Sequence, residues 1–166
     1  MLQQFRMSFD GRLLERGFWL YVWRVLSPQG EFLYVGRTGD SSSPHASSPF
    51  SRIGQHLDFR PHAKGNALGR QLARAGVRPA ECQFEMIALG PIFPEQATMD
   101  AHRPFRDRTA ALEKWLAELL RERHYQVLGV HHCAHAAEEP LVAQVRQLID
   151  PVFPGVAGGL VASPAA

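Results

Sequence analysis

The chain has 166 residues and a net charge of +2; hydrophobic residues make up 45% of it and charged residues 20%. This length is typical of a single domain, and the composition excludes a globally disordered chain. No apolar run approaches the ~20 residues of a membrane span, and residues 1–6 lack the apolar stretch of a secretory signal. Two cysteines, Cys82 and Cys133, are too few for a disulfide framework. We therefore expect a cytoplasmic protein.

Two short runs of aromatic and β-branched residues, Leu20-Tyr21-Val22-Trp23 and Leu33-Tyr34-Val35-Gly36, stand on either side of Ser27-Pro28-Gln29-Gly30. Aromatic and β-branched residues favour strands, and the segment between the runs is typical of a turn. The pattern predicts a β-hairpin with strands over about residues 18–26 and 31–36. Residues 1–17 precede the hairpin as an N-terminal arm.

After the hairpin, residues 39–49 are rich in Ser and Pro and predict a loop, which is either functional or a tolerated insertion. A helix is expected from about Pro49. Within it Phe50, Ile53 and Leu57 recur at helical spacing and are expected to face the sheet. Arg52 and His56 lie four residues apart and project together from a neighbouring flank of this helix.

The rest of the chain supplies one further strand and three helices. Helices are predicted over residues 66–75, 105–123 and 138–150, and a strand over residues 83–89. Pro91 is expected to end that strand, because proline cannot donate a ladder hydrogen bond. No internal repeat is present, so we expect one domain over residues 18–150 and a flexible C-terminal tail over residues 151–166.

Positive charge is concentrated in the middle of the sequence. Between Arg52 and Arg78 lie four further cations and a single acid, Asp58; the cations are Arg60, Lys64, Arg70 and Arg74. Such a segment favours contact with the phosphates of a nucleic acid, whose charge density drives salt-dependent binding. The alternative is an ordinary solvated helix surface.

Several residues have side chains suited to phosphodiester hydrolysis, which needs a positioned water, positive charge beside the phosphate and an oxygen ligand for a divalent metal. Tyr34 ends the second strand, Arg52 supplies a guanidinium that forks onto phosphate oxygens, and Glu113 lies at the edge of the apolar stripe of the long helix. Each of these residues has a plain structural alternative, such as strand packing for the tyrosine.

The ordered set Tyr21, Tyr34-Val35-Gly36, Arg52, His56 and Glu113 resembles the GIY-YIG nuclease family over roughly residues 18–123. The resemblance implies an α/β (α+β) fold: a small three-stranded, mainly antiparallel sheet flanked by helices. The family motif has two halves, and three alternatives remain for the aromatic residue of the first half. We favour Tyr21, because it offers a phenol. Trp23 fits the usual spacing between the two halves, and Gly17-Phe18-Trp19 is a more distant alternative.

The resemblance also implies roles for these residues. Tyr34 activates or orients the attacking water with help from Tyr21 or His56, and Arg52 holds the scissile phosphate. Glu113 is the single carboxylate ligand of Mg²⁺ or Mn²⁺. Nucleic-acid contacts are expected from the residues after the motif and from the basic segment, namely Arg37, Thr38, Arg60, Lys64, Arg70 and Arg74.

The function expected on this basis is a metal-dependent endonuclease that cuts nucleic acid, with DNA as the expected partner. Sequence specificity is expected either to be low or to come from the 39–49 loop, a partner protein or self-assembly. One alternative is a nucleic-acid-binding module that does not cut, and another is a protein-interaction domain. The residues His131-His132-Cys133-His135 also offer zinc-ligand types, but their spacing fits no paired structural zinc motif.

Overall fold

The computed structural model describes residues 2–40, 43–60 and 62–155. Three antiparallel strands form one sheet in the order β2-β1-β3. The strands are β1 (Gly17–Ser27), β2 (Gly30–Arg37) and β3 (Gln83–Pro94), and the helices are α1 (Pro49–His56), α2 (Ala67–Arg74), α3 (Met99–Glu122) and α4 (Glu139–Ile149). The predicted fold class, a small antiparallel sheet flanked by helices, is confirmed. Within the described ranges, no helix combines the length and apolar character that a membrane crossing requires.

The hairpin of β1 and β2 has a register that places the two tyrosines on one face of the sheet. Tyr21 lies opposite Gly36, and Trp23 lies opposite Tyr34. Because side chains alternate between faces along a strand, all three aromatic residues project to the same side. Arg37, one residue after Gly36, projects to the other side. The exit of β2 therefore carries candidate site residues on both faces of the sheet.

Two hydrophobic clusters cover the two faces. On one face, β1 and β2 pack against α3 and α4, with Leu112, Leu116 and Leu120 fully buried. On the other face, Tyr21 and Trp23 pack with Leu68 and Leu72 of α2. The two helix layers reach the exit of β2 from opposite sides, and this is how residues distant in sequence meet there.

The prediction that Phe50, Ile53 and Leu57 make the inward face of α1 is wrong in part. Ile53 and Leu57 pack against the sheet but stay partly exposed, whereas the buried residues of this helix are Pro49 and His56. Phe50 instead stacks on Phe9 of the N-terminal arm, with ring centroids 4.6 Å apart. The short helix turns so that a histidine points at the sheet, because the phenol of Tyr21 offers it a hydrogen-bond partner there.

Two predicted boundaries set by prolines are also wrong. The third strand continues past Pro91 to Pro94, because β3 is an edge strand and its outer side needs no ladder donor. The long helix begins at Met99 rather than near residue 105 and contains Pro104. Its start is set by Thr98, whose side chain caps the helix by accepting a hydrogen bond from Ala101 N at 3.3 Å.

The C-terminal region is ordered further than expected. A flexible tail from residue 151 is wrong at its beginning, because the Phe153 ring is fully buried against Tyr125 and beneath the guanidinium of Arg24. The remaining part of that predicted tail, residues 156–166, lies outside the described residues. Residues 41 and 42 of the predicted loop also lie outside them.

Candidate active site

A cleft of about 240 Å³ opens at the exit of β2, between α1, the start of α2 and the middle of α3. It brings together all five residues that the sequence indicated for catalysis. The side chains and backbone that line it belong to Tyr21, Tyr34, Arg37, Asp40, Arg52, His56, Gly65, Ala67 and Glu113. The cleft is therefore polar and carries both signs of charge.

Tyr21 lies at the bottom of the cleft and is almost fully buried. Its hydroxyl is 2.6 Å from Nε2 of His56 and 3.1 Å from the carbonyl oxygen of Arg37. The ring lies directly over Gly36: a Cβ at that position would be 2.4 Å from Cε2 of Tyr21. Gly36 is thus needed for close approach of a ring to the backbone, and not for a left-handed conformation.

The position of Trp23 differs from that of Tyr21. Its indole packs edge-on against Phe84, at a centroid distance of 6.2 Å, and lines a separate cavity with Phe84 and Met86. The usual motif spacing pointed to Trp23, but the residue in the cleft is Tyr21. Trp19, in the third register, donates its Nε1–H to Glu15 O and also lies outside the cleft.

Tyr34 stands opposite the tryptophan and faces the cleft beside His56, with ring centroids 5.3 Å apart. Burial, together with the negative charge of Glu113, raises its pKa to about 12. The guanidinium groups of Arg52 and Arg70 act in the opposite direction. Burial also raises the pKa of Tyr21 well above its usual value. Both phenols are therefore protonated at neutral pH and serve first as hydrogen-bond donors.

Arg52 projects from α1 into the cleft with only 12% of its side chain exposed. Its Nη2 donates to Asp40 Oδ2 at 2.7 Å, and its Nη1 donates to Gln55 Oε1 at 2.9 Å. Among the residues that the structure describes, its Nε is buried without a hydrogen-bond partner, as is Nδ1 of His56. Unsatisfied buried polar atoms are rare in folded proteins, and a ligand is one explanation for them.

Glu113 reaches the cleft from α3 with one fifth of its side chain exposed. Its Oε2 accepts a hydrogen bond from Nε of Arg37 at 2.9 Å. Burial raises the pKa of Glu113, while the nearby charge of Arg37 lowers it. A poorly solvated carboxylate of this kind gains from a bound cation.

The donor set fits a hydrated Mg²⁺ or Mn²⁺ held by one carboxylate, because the Arg37 hydrogen bond engages only Oε2 of Glu113. It does not fit an all-protein cage: among the described residues there is no group of three or more His, Cys, Asp or Glu side chains suited to a metal ion. Within residues 131–135, whose spacing fits no paired zinc motif, His131 bonds the backbone of β2.

His56 is buried and neutral, and the free energy of unfolding should therefore depend on pH. Burial, with a smaller contribution from Arg52, lowers the pKa of His56 to about 4. The unfolded chain binds this proton near pH 6.5, so folding is penalised as the pH falls from 6.5 towards 4. We expect His56 to account for about 2 kcal/mol of the stability lost between pH 7 and pH 5.

Urea unfolding at both pH values measures this loss. The His56→Gln variant should show a smaller loss of stability between pH 7 and pH 5 than the wild type, by the amount given above. His45→Gln, which changes an exposed histidine, should keep the wild-type difference. An unchanged pH dependence in His56→Gln would contradict the neutral, buried state.

The residues expected to bind nucleic acid fall into two groups. Thr38 is a correction: it is fully buried, and its Oγ1 accepts from Trp19 N at 2.8 Å and donates to Gly17 O. It therefore ties the end of β2 to β1 and has no surface with which to touch a ligand. The other five remain candidates, although Arg37 is already engaged by Glu113.

The four candidates in the basic segment are all exposed. Arg70, on α2, is close enough to lower the pKa of Tyr34, and Lys64 precedes Gly65 at the rim of the cleft. Arg60 pairs with Asp58, and Arg74 lies in the last turn of α2. Of these four cations, Lys64 and Arg70 are thus the two placed beside the cleft.

Three residues of this region were missed by the sequence analysis: Asp40, His102 and His131. His131 donates Nε2–H to Val35 O at 2.9 Å, because Arg121 Nη2 faces its Nδ1 and can only donate. The segment before it also bonds β2, through Leu33 and Leu128 at 2.7 Å. This segment covers the edge of β2 beside Tyr34. A histidine that follows a helix by nine residues carries no local signal of such a role.

Comparison with family models, with curated proteins and with solved structures finds no match for this chain. The chemistry of the cleft is therefore the basis on which a function can be inferred.

Proposed function

We propose that this protein is a metal-dependent endonuclease that hydrolyses phosphodiester bonds in nucleic acid, with DNA as the expected substrate. The observation that supports this most strongly is the convergence of Tyr21, Tyr34, Arg52, His56 and Glu113 on one cleft. These side chains come from two strands and two helices. Together they supply a positive charge, an oxygen ligand and hydroxyl groups that can orient water.

Arg52 is the residue proposed to bind the scissile phosphate. A guanidinium remains charged at any ordinary pH and presents a fork of N–H donors to phosphate oxygens. Asp40 and Gln55 engage its two terminal nitrogens, while Nε has no hydrogen-bond partner within the described part of the chain. The group therefore retains donors for an anion in the cleft.

Glu113 is the proposed ligand of a Mg²⁺ or Mn²⁺ ion. Bound there, the ion supplies charge stabilisation at the phosphate and acidifies a coordinated water. The chain contributes the orientation: Arg37 holds one oxygen of the carboxylate from the end of β2. A single carboxylate suffices for Mg²⁺, which keeps several waters and takes further oxygens from substrate phosphates.

Tyr34 is the group proposed to orient the attacking water. Its raised pKa disfavours a free phenolate, and one cause of that rise is the charge of Glu113. Neutralising that carboxylate would lower the pKa of Tyr34 and make the phenolate easier to form. Tyr21 and His56, joined by a 2.6 Å hydrogen bond, fix the floor against which Tyr34 stands. The low pKa of His56 keeps it neutral, so it supports Tyr21 without adding charge.

A plasmid-nicking assay tests the proposal directly. Purified protein should convert supercoiled DNA to the nicked form with Mg²⁺ or Mn²⁺, and EDTA should stop the reaction. The Glu113→Gln variant, purified in the same way, controls for contaminating nuclease. If the wild type shifts DNA in a gel in a salt-sensitive way but never nicks it, the protein is a binding module. Neither binding nor nicking of DNA or RNA would favour a protein-interaction domain.

A further inference from the structure

The cleft contains a second carboxylate, Asp40, that the proposed mechanism does not use. It lies between β2 and α1, and its Oδ2 accepts a hydrogen bond from Arg52 Nη2 at 2.7 Å. Arg52 is the residue to which we assign the substrate phosphate. A carboxylate and a phosphate present similar oxygen pairs to a guanidinium. Asp40 therefore accepts a hydrogen bond from Arg52 that a substrate phosphate would otherwise accept.

The backbone of Asp40 is held in place from a distant part of the chain. His102, fully buried near the start of α3, lies 2.8 Å from Asp40 O through Nε2 and 2.8 Å from Pro44 O through Nδ1. These two contacts fix the Asp40 main chain beside Arg52.

From this geometry, and resting on the proposed function, we propose that Asp40 is an internal competitor that stands in for phosphate on Arg52 and is displaced by the substrate. A tethered carboxylate competes at high effective concentration, so it weakens every anion at this position by the same factor. A free phosphate ion has no other contact with which to compensate. A nucleic acid also meets exposed cations at the rim, such as Lys64 and Arg70. Asp40 thus raises the affinity that any anion needs to enter the cleft, and a polyanion reaches it through rim contacts that a free phosphate lacks.

The test measures binding without metal, in EDTA, by calorimetry for inorganic phosphate and by fluorescence anisotropy for a labelled 20-base-pair duplex (a length chosen to span about two helical turns). We expect Asp40→Asn to bind both probes about tenfold more tightly than the wild type. The matched control is Asp10→Asn. It makes the same change in net charge at an aspartate that pairs with Arg12 outside the cleft. It should shift either affinity by less than about twofold.

Each outcome has a defined meaning. Equal affinities for Asp40→Asn and wild type, weaker binding by Asp40→Asn, or an equal gain in Asp10→Asn would each overturn the inference. Failure of both proteins to bind inorganic phosphate would also overturn it, because Arg52 would then not be an anion site. Tighter phosphate binding by Asp40→Asn without any nicking by the wild type would support the inference and refute the nuclease proposal. The two therefore fail separately.

Discussion

Replacing Glu113 with glutamine is expected to remove cutting almost entirely, by about 10³-fold or more. A neutral amide is a poor ligand for a hard divalent cation, so the variant should lose the metal along with the charge stabilisation that it supplies. The fold should persist, because the amide oxygen can still accept from Arg37. Burial already raises the pKa of this carboxyl, so the neutral side chain costs little.

Initial nicking rates over a Mg²⁺ titration, together with urea unfolding, measure both halves of this prediction. The unfolding free energy should change by less than about 1 kcal/mol. Glu118→Gln is the matched control, since Glu118 is an exposed glutamate of the same helix, 4.0 Å from Lys114. It should cut at the wild-type rate. Metal-dependent cutting that survives in Glu113→Gln would refute the assignment of the ligand.

Replacing Gly36 with alanine is expected to cause the largest loss of stability. The new Cβ would lie 2.4 Å from Cε2 and 2.8 Å from the hydroxyl oxygen of Tyr21. That ring cannot move aside easily, because it is buried and its hydroxyl bonds His56. Overpacking of this kind costs about 3 kcal/mol or more. Displacement of Tyr21 should also misalign His56 and reduce cutting.

Chemical denaturation of the purified variant measures the cost. Gly54→Ala is the control: Gly54 lies in α1, and a Cβ there meets no atom within 4 Å. Alanine at an exposed helical position should stabilise the protein slightly, by up to about 1 kcal/mol. If Gly36→Ala were as stable as the wild type, the close approach of the Tyr21 ring to the backbone would not constrain this position.

The local parts of the structure follow from the sequence because neighbouring residues decide them. The alternation of Tyr21 and Trp23 with aliphatic residues, and the turn before Gly30, predicted the hairpin. The same holds for α2, which was predicted over residues 66–75 and whose residues Leu68 and Leu72 are buried. Arg52 and His56 were expected on one flank of a helix from their spacing alone.

Predictions made from neighbouring residues were wrong where contacts in the tertiary structure outweighed local preference. Pro91 did not end its strand because β3 lies at the edge of the sheet, and edge position is a property of the assembled sheet. The long helix begins before the predicted residue 105 because Thr98 caps it and His102 is buried in its first turns. His56 points towards the sheet because the hydroxyl of Tyr21 forms a hydrogen bond with its Nε2.

By itself the sequence determined the hairpin, the order of the helices and a set of residues whose side chains suit phosphodiester hydrolysis. Only the tertiary structure decided which of them share a cleft: Tyr21 and not Trp23, and Glu113 but not Thr38. It also decided that Asp40 meets Arg52 and that His102 holds Asp40 from 62 residues away. The physical reason is the distance along the sequence over which residues interact. Backbone periodicity depends on residues a few positions apart, whereas a cleft depends on how two packed layers meet at the end of a strand.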